Sequence, residues 1–358
     1  MELLTQNEIE ALVGKNLDNV VGQEVIDNIV ETEKISETEK RVTECSDIPE
    51  LEGSFYYQGK VRANFYGGKL ATKDNLPLRV LVTTGNISTH DKVRGVIPFK
   101  DQITSELSNF MFELISDTLP NSQIVASGIV AVSEQCSPID FEMVLRRYMA
   151  KSSTETSLYH HYANLGEREF CSHKLPEGLV ANGRLPFLID TPSTKARDSG
   201  HDISVPPQYL FDNGIVSSED YELIKNATMN AFVRAEEFLI TKGIILVDTK
   251  FELGRGKNGK IEYTDEALTL DASRYWLALD YDEKFLKGED PTSYSKELAR
   301  GLGKPGEPFT DEHRFKIACR YIETYQLLTG KKFEPDTRDA RQKIIEDTNN
   351  CLEQVMRR

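Results

Sequence analysis

The chain has 358 residues, 39% of them hydrophobic and 28% charged, apolar enough for a sizeable core and too apolar for a disordered chain. Its 43 Lys and Arg against 58 Asp and Glu leave a net charge of −15. That balance disfavours nonspecific nucleic-acid binding, which rests on cations neutralising phosphates, while leaving room for a small phosphorylated ligand in a local basic pocket.

In chain order, residues 1–50 carry 13 acidic and 4 basic side chains and read as an acidic extension over 1–52, whose removal should leave the chemistry intact. Ile9, Leu12 and Val13 suit a helical face, as do Val25, Ile29 and Val30. Glu31–Glu44 reads as a solvated linker or helix end. From Gly53 the pattern changes: Phe55–Tyr57, Lys60–Arg62 and Ala63–Tyr66 suggest strands around a turn at Gly59, with Gly67-Gly68 as a second turn signal. Leu78–Thr84 reads as a buried strand. Ile103, Leu107, Phe110, Met111 and Leu114 follow helical spacing, and Ile124–Val132 and Phe141–Leu145 read as strands.

The second half opens irregularly. Residues 151–213 are rich in Ser, His, Gly and Pro, and so long a stretch without regular elements is uncommon unless functional. Glu219–Lys242 is the longest helix expected, ended by Gly243. A hairpin follows over Ile244–Tyr263, then helices at Asp311–Thr329 and Ala340–Val355. The mixture argues for an α+β fold. No apolar run approaches the ~18 residues of a membrane helix, and MELLTQNEIE lacks the charged flank and apolar stretch of a secretory signal. Cys45, Cys136, Cys171, Cys319 and Cys351 are scattered and fit neither a disulfide framework nor a CxxC zinc site. They read as thiols in a reducing cytoplasm.

The hairpin carries the chemistry. In VDTKFELG, period-2 alternation sends Asp248, Lys250 and Glu252 to one face and Val247, Phe251 and Leu253 to the other. Two carboxylates bracketing a lysine can hold a metal ion and a phosphate together, and the returning strand brings Asp265 and Glu266 back toward that face. The plainer alternative is a solvated strand whose surface ion pairs contribute about 0–1 kcal/mol each. Arg146, Arg147 and Arg274 sit in apolar settings and suit a phosphate, or else cover apolar atoms with their stems. His160 and His161, being adjacent, would point to opposite faces of a strand and not share a metal. Gly59-Lys60 and Thr191–Lys195 are weak phosphate signals alone.

Together these segments resemble the SAICAR synthetase (phosphoribosylaminoimidazole-succinocarboxamide synthase) family. The carriers are VDTKFELG at Val247–Gly254, TPSTKA at Thr191–Ala196 with Gly200-His201-Asp202, and DEALTLDASRYW at Asp265–Trp276. Looser support comes from GKVRANFY at Gly59–Tyr66, TGNISTHD at Thr84–Asp91 and FEMVLRRYMAKSS at Phe141–Ser153. The resemblance spans about Gly53–Gly330. It implies a two-lobed α+β fold with an ATP-grasp-like nucleotide site between lobes: an N-terminal lobe at 53–137 with the ATP phosphate loop, a C-terminal lobe at 138–330 with the nucleotide, metal and substrate site, and a helical extension at 331–358. It also implies an ATP-dependent C–N ligase of de novo purine biosynthesis. Such an enzyme joins the carboxylate of the carboxyaminoimidazole ribonucleotide CAIR to L-aspartate through an acyl phosphate, with release of SAICAR, ADP and phosphate.

By the same resemblance, Glu252 and Asp265 would be the Mg2+ carboxylates. Lys250 would stand near the ATP phosphates and the reacting carboxylate, and Asp248 would bind substrate or orient Lys250. Lys60, Lys250 and Glu252 would hold ATP. Arg146, Ser152, Arg274, Ser193, Lys195 and Asp202 would bind substrate, and Lys296 and Arg300 match basic family positions only loosely. Small-molecule substrates are expected, without nucleic acid or membrane, and homo-oligomerisation is left open. Three departures stand out: Ala63 where the family has aspartate, Gly85-Asn86 where it has Asp-Arg, and Arg147 where many members have glycine. A divergent small-molecule kinase and a non-catalytic nucleotide-binding homologue are the alternatives.

Overall fold

The computed structural model describes residues 2–89, 92–152, 154–195 and 202–357. His90, Asp91, Ser153, Ala196, Gly200 and His201, all within the segments quoted above, lie outside the described residues. In order, the elements are α1 (Gln6–Lys15), α2 (Gln23–Asp27), β1 (Glu31–Lys34), β2 (Glu39–Glu44), β3 (Phe55–Gln58), β4 (Arg62–Ala71), β5 (Pro77–Thr83), β6 (Asn86–Thr89), β7 (Lys92–Val96) and α3 (Lys100–Leu114). There follow β8 (Gln123–Ser127), β9 (Val130–Glu134), β10 (Ser137–Tyr148), β11 (Glu169–Phe170), β12 (His173–Lys174), β13 (Arg184–Asp190), β14 (Ser193–Thr194), α4 (Pro207–Asp212) and α5 (Ser218–Thr241). The chain continues through β15 (Ile244–Arg255), β16 (Ile261–Thr264), β17 (Ser273–Leu277), α6 (Ala278–Lys287), α7 (Glu297–Arg300), α8 (Asp311–Thr329) and α9 (Ala340–Met356). No described helix is long and apolar enough to cross a membrane.

The fold is α+β and forms two compact units. One comprises Met1–Phe110, Ser122–Cys136 and Glu297–Arg358; the other comprises Met111–Asn121 and Ser137–Lys296. These groupings differ from the sequence expectation of 1–52, 53–137, 138–330 and 331–358, and the reason is burial. In the first unit a seven-stranded antiparallel sheet runs β1-β2-β3-β4-β5-β9-β8. Its core unites Val21, Ile26 and Val42 with Phe65, Val80 and Val132 of the sheet and with Ile344, Cys351, Leu352 and Val355 of α9. Both terminal segments are therefore part of one core and not appendages to it. Glu31–Glu44, expected as a linker, is the β1–β2 hairpin at the sheet's edge. Its outer strand carries no buried residue, so no alternation of burial announced it.

Gly67-Gly68 also differs from expectation. Instead of ending a strand, it bulges β4, with φ of 71° and 59° and a register shift between Tyr66 and Ala71. A Cβ on Gly68 would lie 2.7 Å from the Gly53 carbonyl carbon and the Ser54 nitrogen, so the close approach requires glycine.

In the second unit the sheet runs β13-β10-β15-β16, with β14 on β10 and β17 on β15. All neighbours are antiparallel. Helix α5 packs on this sheet. Its 24 residues contain no glycine or proline, Ser217 accepts the Asp220 amide at 3.1 Å as N-cap, and Gly243 at φ 74° ends it. Tyr221, Ile224, Ala231, Ala235 and Leu239 form its buried stripe. His160 and His161 lie in a helical turn and not on a strand, where His161 pairs with Glu167 at 2.7 Å.

Candidate functional site

The centre of the candidate site is β15. Val247, Phe251 and Leu253 are almost wholly buried, and the Phe251 ring meets Tyr263 at 5.3 Å. That apolar anchoring turns Asp248, Lys250 and Glu252 toward the other face of the sheet.

Register does the rest. Glu142 on β10 stands directly opposite Glu252, a pairing of like charges that is unfavourable by itself. Lys250, on the diagonal, neutralises both: its Nζ donates to Glu142 Oε1 at 2.9 Å and to Glu252 Oε1 at 2.7 Å. Lys195 donates to the other oxygen of Glu252 at 2.6 Å. The result is an alternating row, Glu142, Lys250, Glu252, Lys195. Burial alone would lower the pKa of Lys250, but Glu252, Glu142 and Asp265 outweigh it and hold the ammonium well above its ordinary value. Burial alone would raise Glu252, yet Lys250 and Lys195 hold it well below the usual carboxylate range. Lys250 and Glu252 are thus both charged at neutral pH.

A second row crosses the same strand. Arg146 on β10 and Arg274 on β17 are the two lateral neighbours of Asp248. One oxygen, Asp248 Oδ2, lies 3.3 Å from Arg146 Nη1 and 3.8 Å from Arg274 Nη2. One carboxylate between two guanidinium groups leaves a net positive charge at this end of the face, the arrangement that suits a phosphate. Arg146 is steadied from behind: its Nε donates to Thr191 Oγ1 at 3.0 Å, and that hydroxyl donates to the Val144 carbonyl at 3.2 Å.

Beside Thr191, Asp190 is buried under three donors. Tyr221 donates to Oδ2, His173 Nε2 lies 3.1 Å from Oδ1 and Lys225 Nζ lies 3.3 Å from it. Burial pushes its carboxyl up, but the hydrogen bonds from His173 and Tyr221 and the charge of Lys225 prevail and hold it at about 2. The β11–β12 hairpin that presents His173 turns through Cys171 and Ser172, both left-handed, at φ 48° and 68°. Such a turn usually uses asparagine or glycine.

The structure brings Asp248, Lys250, Glu252, Lys195, Arg146 and Arg274 together. Ser193 is buried on β14, opposite Glu142. Asp265 follows β16 with φ 63° and acts electrostatically on Lys250. Glu266 instead turns into its own loop, accepting from the Thr269 hydroxyl. Ser152 follows β10 and accepts the Thr154 amide at 3.1 Å, and Asp202 is exposed. Lys60 is exposed on the β3–β4 turn of the other unit. Lys296 pairs with Asp271 at 3.6 Å and Arg300 with Glu297 at 2.6 Å. Arg147 points oppositely to Arg146 and holds Glu236 of α5 through two bonds of 2.9 Å, so this departure serves packing of the helix on the sheet. Sequence reasoning missed Glu142 and Asp190, and gave Thr191 only as part of a weak phosphate signal and not as the support of Arg146. Glu142 shares the parity of Arg146 on β10, which was the available signal.

Among the described residues no group of three or more His, Cys, Asp or Glu is arranged to hold a metal ion. Glu252 spends one contact on each oxygen, and a carboxylate has about four lone-pair sites. With Asp265 it can still offer hard oxygen donors to a cation that is bound chiefly through another anion.

The sequence model of SAICAR synthetase matches residues 55–314. The chloroplastic phosphoribosylaminoimidazole-succinocarboxamide synthase of Arabidopsis thaliana is 33% identical over 366 residues, covering 97% of this chain and 84% of its own length. Most of both terminal segments therefore fall inside that alignment. The phosphoribosylaminoimidazole-succinocarboxamide synthase of Azobacteroides pseudotrichonymphae is 36% identical over 290 residues, covering 77% of this chain and 85% of its own. Among solved structures, the SAICAR synthase of Saccharomyces cerevisiae complexed with SAICAR superposes with a TM-score of 0.64 at 24% identity, covering 77% of this chain and 95% of the other, a likeness of fold.

Proposed function

This chain belongs to the SAICAR synthetase family, and we propose that it joins the carboxylate of CAIR to the amine of L-aspartate with ATP, forming SAICAR, ADP and phosphate. The observation that carries the reading is the pairing, on one sheet face, of the Glu142–Lys250–Glu252–Lys195 row with the Arg146–Asp248–Arg274 row.

The chemistry requires both. A carboxylate is a poor electrophile for an amine, and phosphorylation supplies a leaving group. Positive charge must meet the phosphoryl group as it moves. Lys250 is permanently charged, held at a fixed point by two carboxylates, and so requires little reorganisation when that charge develops. Arg146 and Arg274 take the phosphate of the ribonucleotide, with Asp248 keeping their forks apart and in register. Lys195 fixes Glu252, and Ser193 and Asp202 join it in the substrate set. Ser152 completes the substrate set and Lys60 the ATP set.

Magnesium suits the oxygen donors of Glu252 and Asp265, because Mg2+ is commonly held by one or two carboxylates plus phosphate oxygens. When bound it would neutralise ATP phosphate charge. The five cysteines are free thiols, which suits a reducing compartment, and we place the reaction in the cytoplasm. The kinase and non-catalytic alternatives are not favoured, since relatives of 33% and 36% identity carry the ligase's name.

The test is an assay with ATP, CAIR and L-aspartate that follows SAICAR and inorganic phosphate. The reading expects both products in equal amounts, and neither when aspartate is withheld. Phosphate transfer to CAIR as a stable product, without amide, would point to a kinase.

A further inference from the structure

The first unit contains a cavity of about 420 Å³ that borders the Gly59-Lys60 turn, within the roughly 300–1,000 Å³ typical of small-molecule sites. Four of its lining residues, Gln23, Glu37, Thr38 and Lys40, precede the part of the chain that the family model matches, residues 55–314. The cavity therefore has a wall built by the N-terminal segment.

That wall is held in place by ordinary forces. The β1–β2 turn is closed by Ser36, whose Oγ accepts the Glu39 amide at 3.1 Å. Register sets Lys40 beside Tyr56, and its Nζ lies 5.4 Å from that ring's centroid and 3.7 Å from Asp27 Oδ1. Further back, the Gly85 amide donates to the Val21 carbonyl at 2.8 Å. A Cβ on Gly85 would sit 2.7 Å from the Ile97 carbonyl oxygen. The aspartate of the family's Asp-Arg pair cannot occupy this backbone, and the next residue, Asn86, lines the cavity instead.

The lining offers two ammonium groups for phosphate, amides for a base edge, and the half-exposed ring of Tyr57 for stacking. The one carboxylate, Glu37, repels phosphate and suits ribose hydroxyls. We propose that the N-terminal hairpin β1–β2 is a wall of the nucleotide site, with Thr38 and Lys40 contacting an adenine nucleotide held over the Gly59-Lys60 turn. The proposal rests on the reading of Lys60 as an ATP-binding residue and extends it to residues outside the family's matched segment.

The test is calorimetric titration of the full chain with ADP and Mg2+, alongside melting temperatures and steady-state kinetics. Lys40→Ala should weaken ADP about tenfold and raise KM for ATP similarly, as expected for loss of one charge-assisted contact. KM for CAIR should be unchanged, and Lys40→Arg should restore affinity to within about threefold. Thr38→Val should weaken ADP about threefold, the loss of one neutral hydrogen bond. Equal ADP affinity in wild type and in a folded Lys40→Ala, with Lys60→Ala weakened, overturns the hairpin's role and leaves Lys60 in place. Equal affinity in all three removes the nucleotide from this cavity altogether. If Lys40→Ala melts early, Thr38→Val decides the matter by the same comparison. Should the protein form no SAICAR while ADP affinity follows the expected order, the ligase reading fails and the hairpin site stands.

Discussion

Glu142 and Glu252 face each other across the β10–β15 pair, two carboxylates at positions where like charges repel. The geometry is tolerable only because the Lys250 ammonium reaches both. Lys250 is thus fixed by the sheet's own register and needs no substrate to place it. Lys250→Met should therefore lower kcat at least ~1,000-fold, by removing the charge that meets the phosphoryl group. Single-turnover measurement of ADP formation, with the melting temperature as a fold control, checks it. Turnover within tenfold of wild type would remove Lys250 from the chemistry.

The arginine row predicts a division between substrates. Arg146→Ala and Arg274→Ala each remove a charge-assisted contact of about 1.5–3 kcal/mol to a phosphate. KM for CAIR should rise roughly tenfold or more, with KM for ATP nearly unchanged. Arg146→Lys should recover little, because Lys lacks the fork that meets Thr191 and Asp248 together. Equal effects on both substrates would show that the row serves the sheet and not the ribonucleotide.

Asp190 predicts an acid limit on stability. Its folded carboxyl is held at about 2, against roughly 3.9 in an unfolded chain. The folded state binds the proton more weakly, so the contribution is fully present above about pH 4 and is lost as pH falls toward 2, roughly 2–3 kcal/mol in all. Asp190→Asn should lower the melting temperature at pH 7 and flatten its fall between about pH 4 and pH 2. An unchanged acid slope would mean that other carboxylates govern it.

The face of β15 was legible because alternating burial is a local signal, and the helices α5 and α8 were legible because their caps and apolar stripes are local too. What the residues alone do not encode is which strand lies beside which. Glu142 and Thr191 matter only through pairing with β15 and contact with Arg146, and nothing near them in the chain names those partners. The hairpin β1–β2 was missed for a different reason. ETEK has no buried position, and an edge strand with both faces in water leaves no period to read.

Truncation tests the corrected view of the N-terminus. Val21, Ile26, Ile29, Val30, Val42, Cys45 and Ile48 are all buried in the core of the first unit. Each large side chain contributes about 1.5–3 kcal/mol by burial, and their sum rivals the ~5–15 kcal/mol stability of a whole domain. Deleting residues 1–50 should therefore give an aggregating or non-cooperatively melting protein. A soluble truncation with the wild-type melting temperature would restore the view of a dispensable extension.

The last prediction concerns the order of bond changes. If Lys250 serves carboxylate activation, an oxygen of the CAIR carboxylate attacks the γ-phosphorus of ATP, and the bond to the ADP oxygen breaks. The aspartate nitrogen then attacks the acyl carbon, and the acyl C–O bond breaks with its electron pair leaving on phosphate. The nitrogen keeps one proton as the amide N–H and releases the others to solvent. One carboxylate oxygen thus departs with the phosphate and the other stays in the amide. The reason is the leaving group: a carboxylate oxygen cannot leave as oxide but can leave as phosphate. With oxygen-18 in both carboxylate positions of CAIR, the inorganic phosphate should carry one label per SAICAR formed, read by mass spectrometry or by the isotope shift in phosphorus NMR. Unlabelled phosphate during verified SAICAR formation would rule out the acyl phosphate and leave the Lys250 row with the holding of ATP alone.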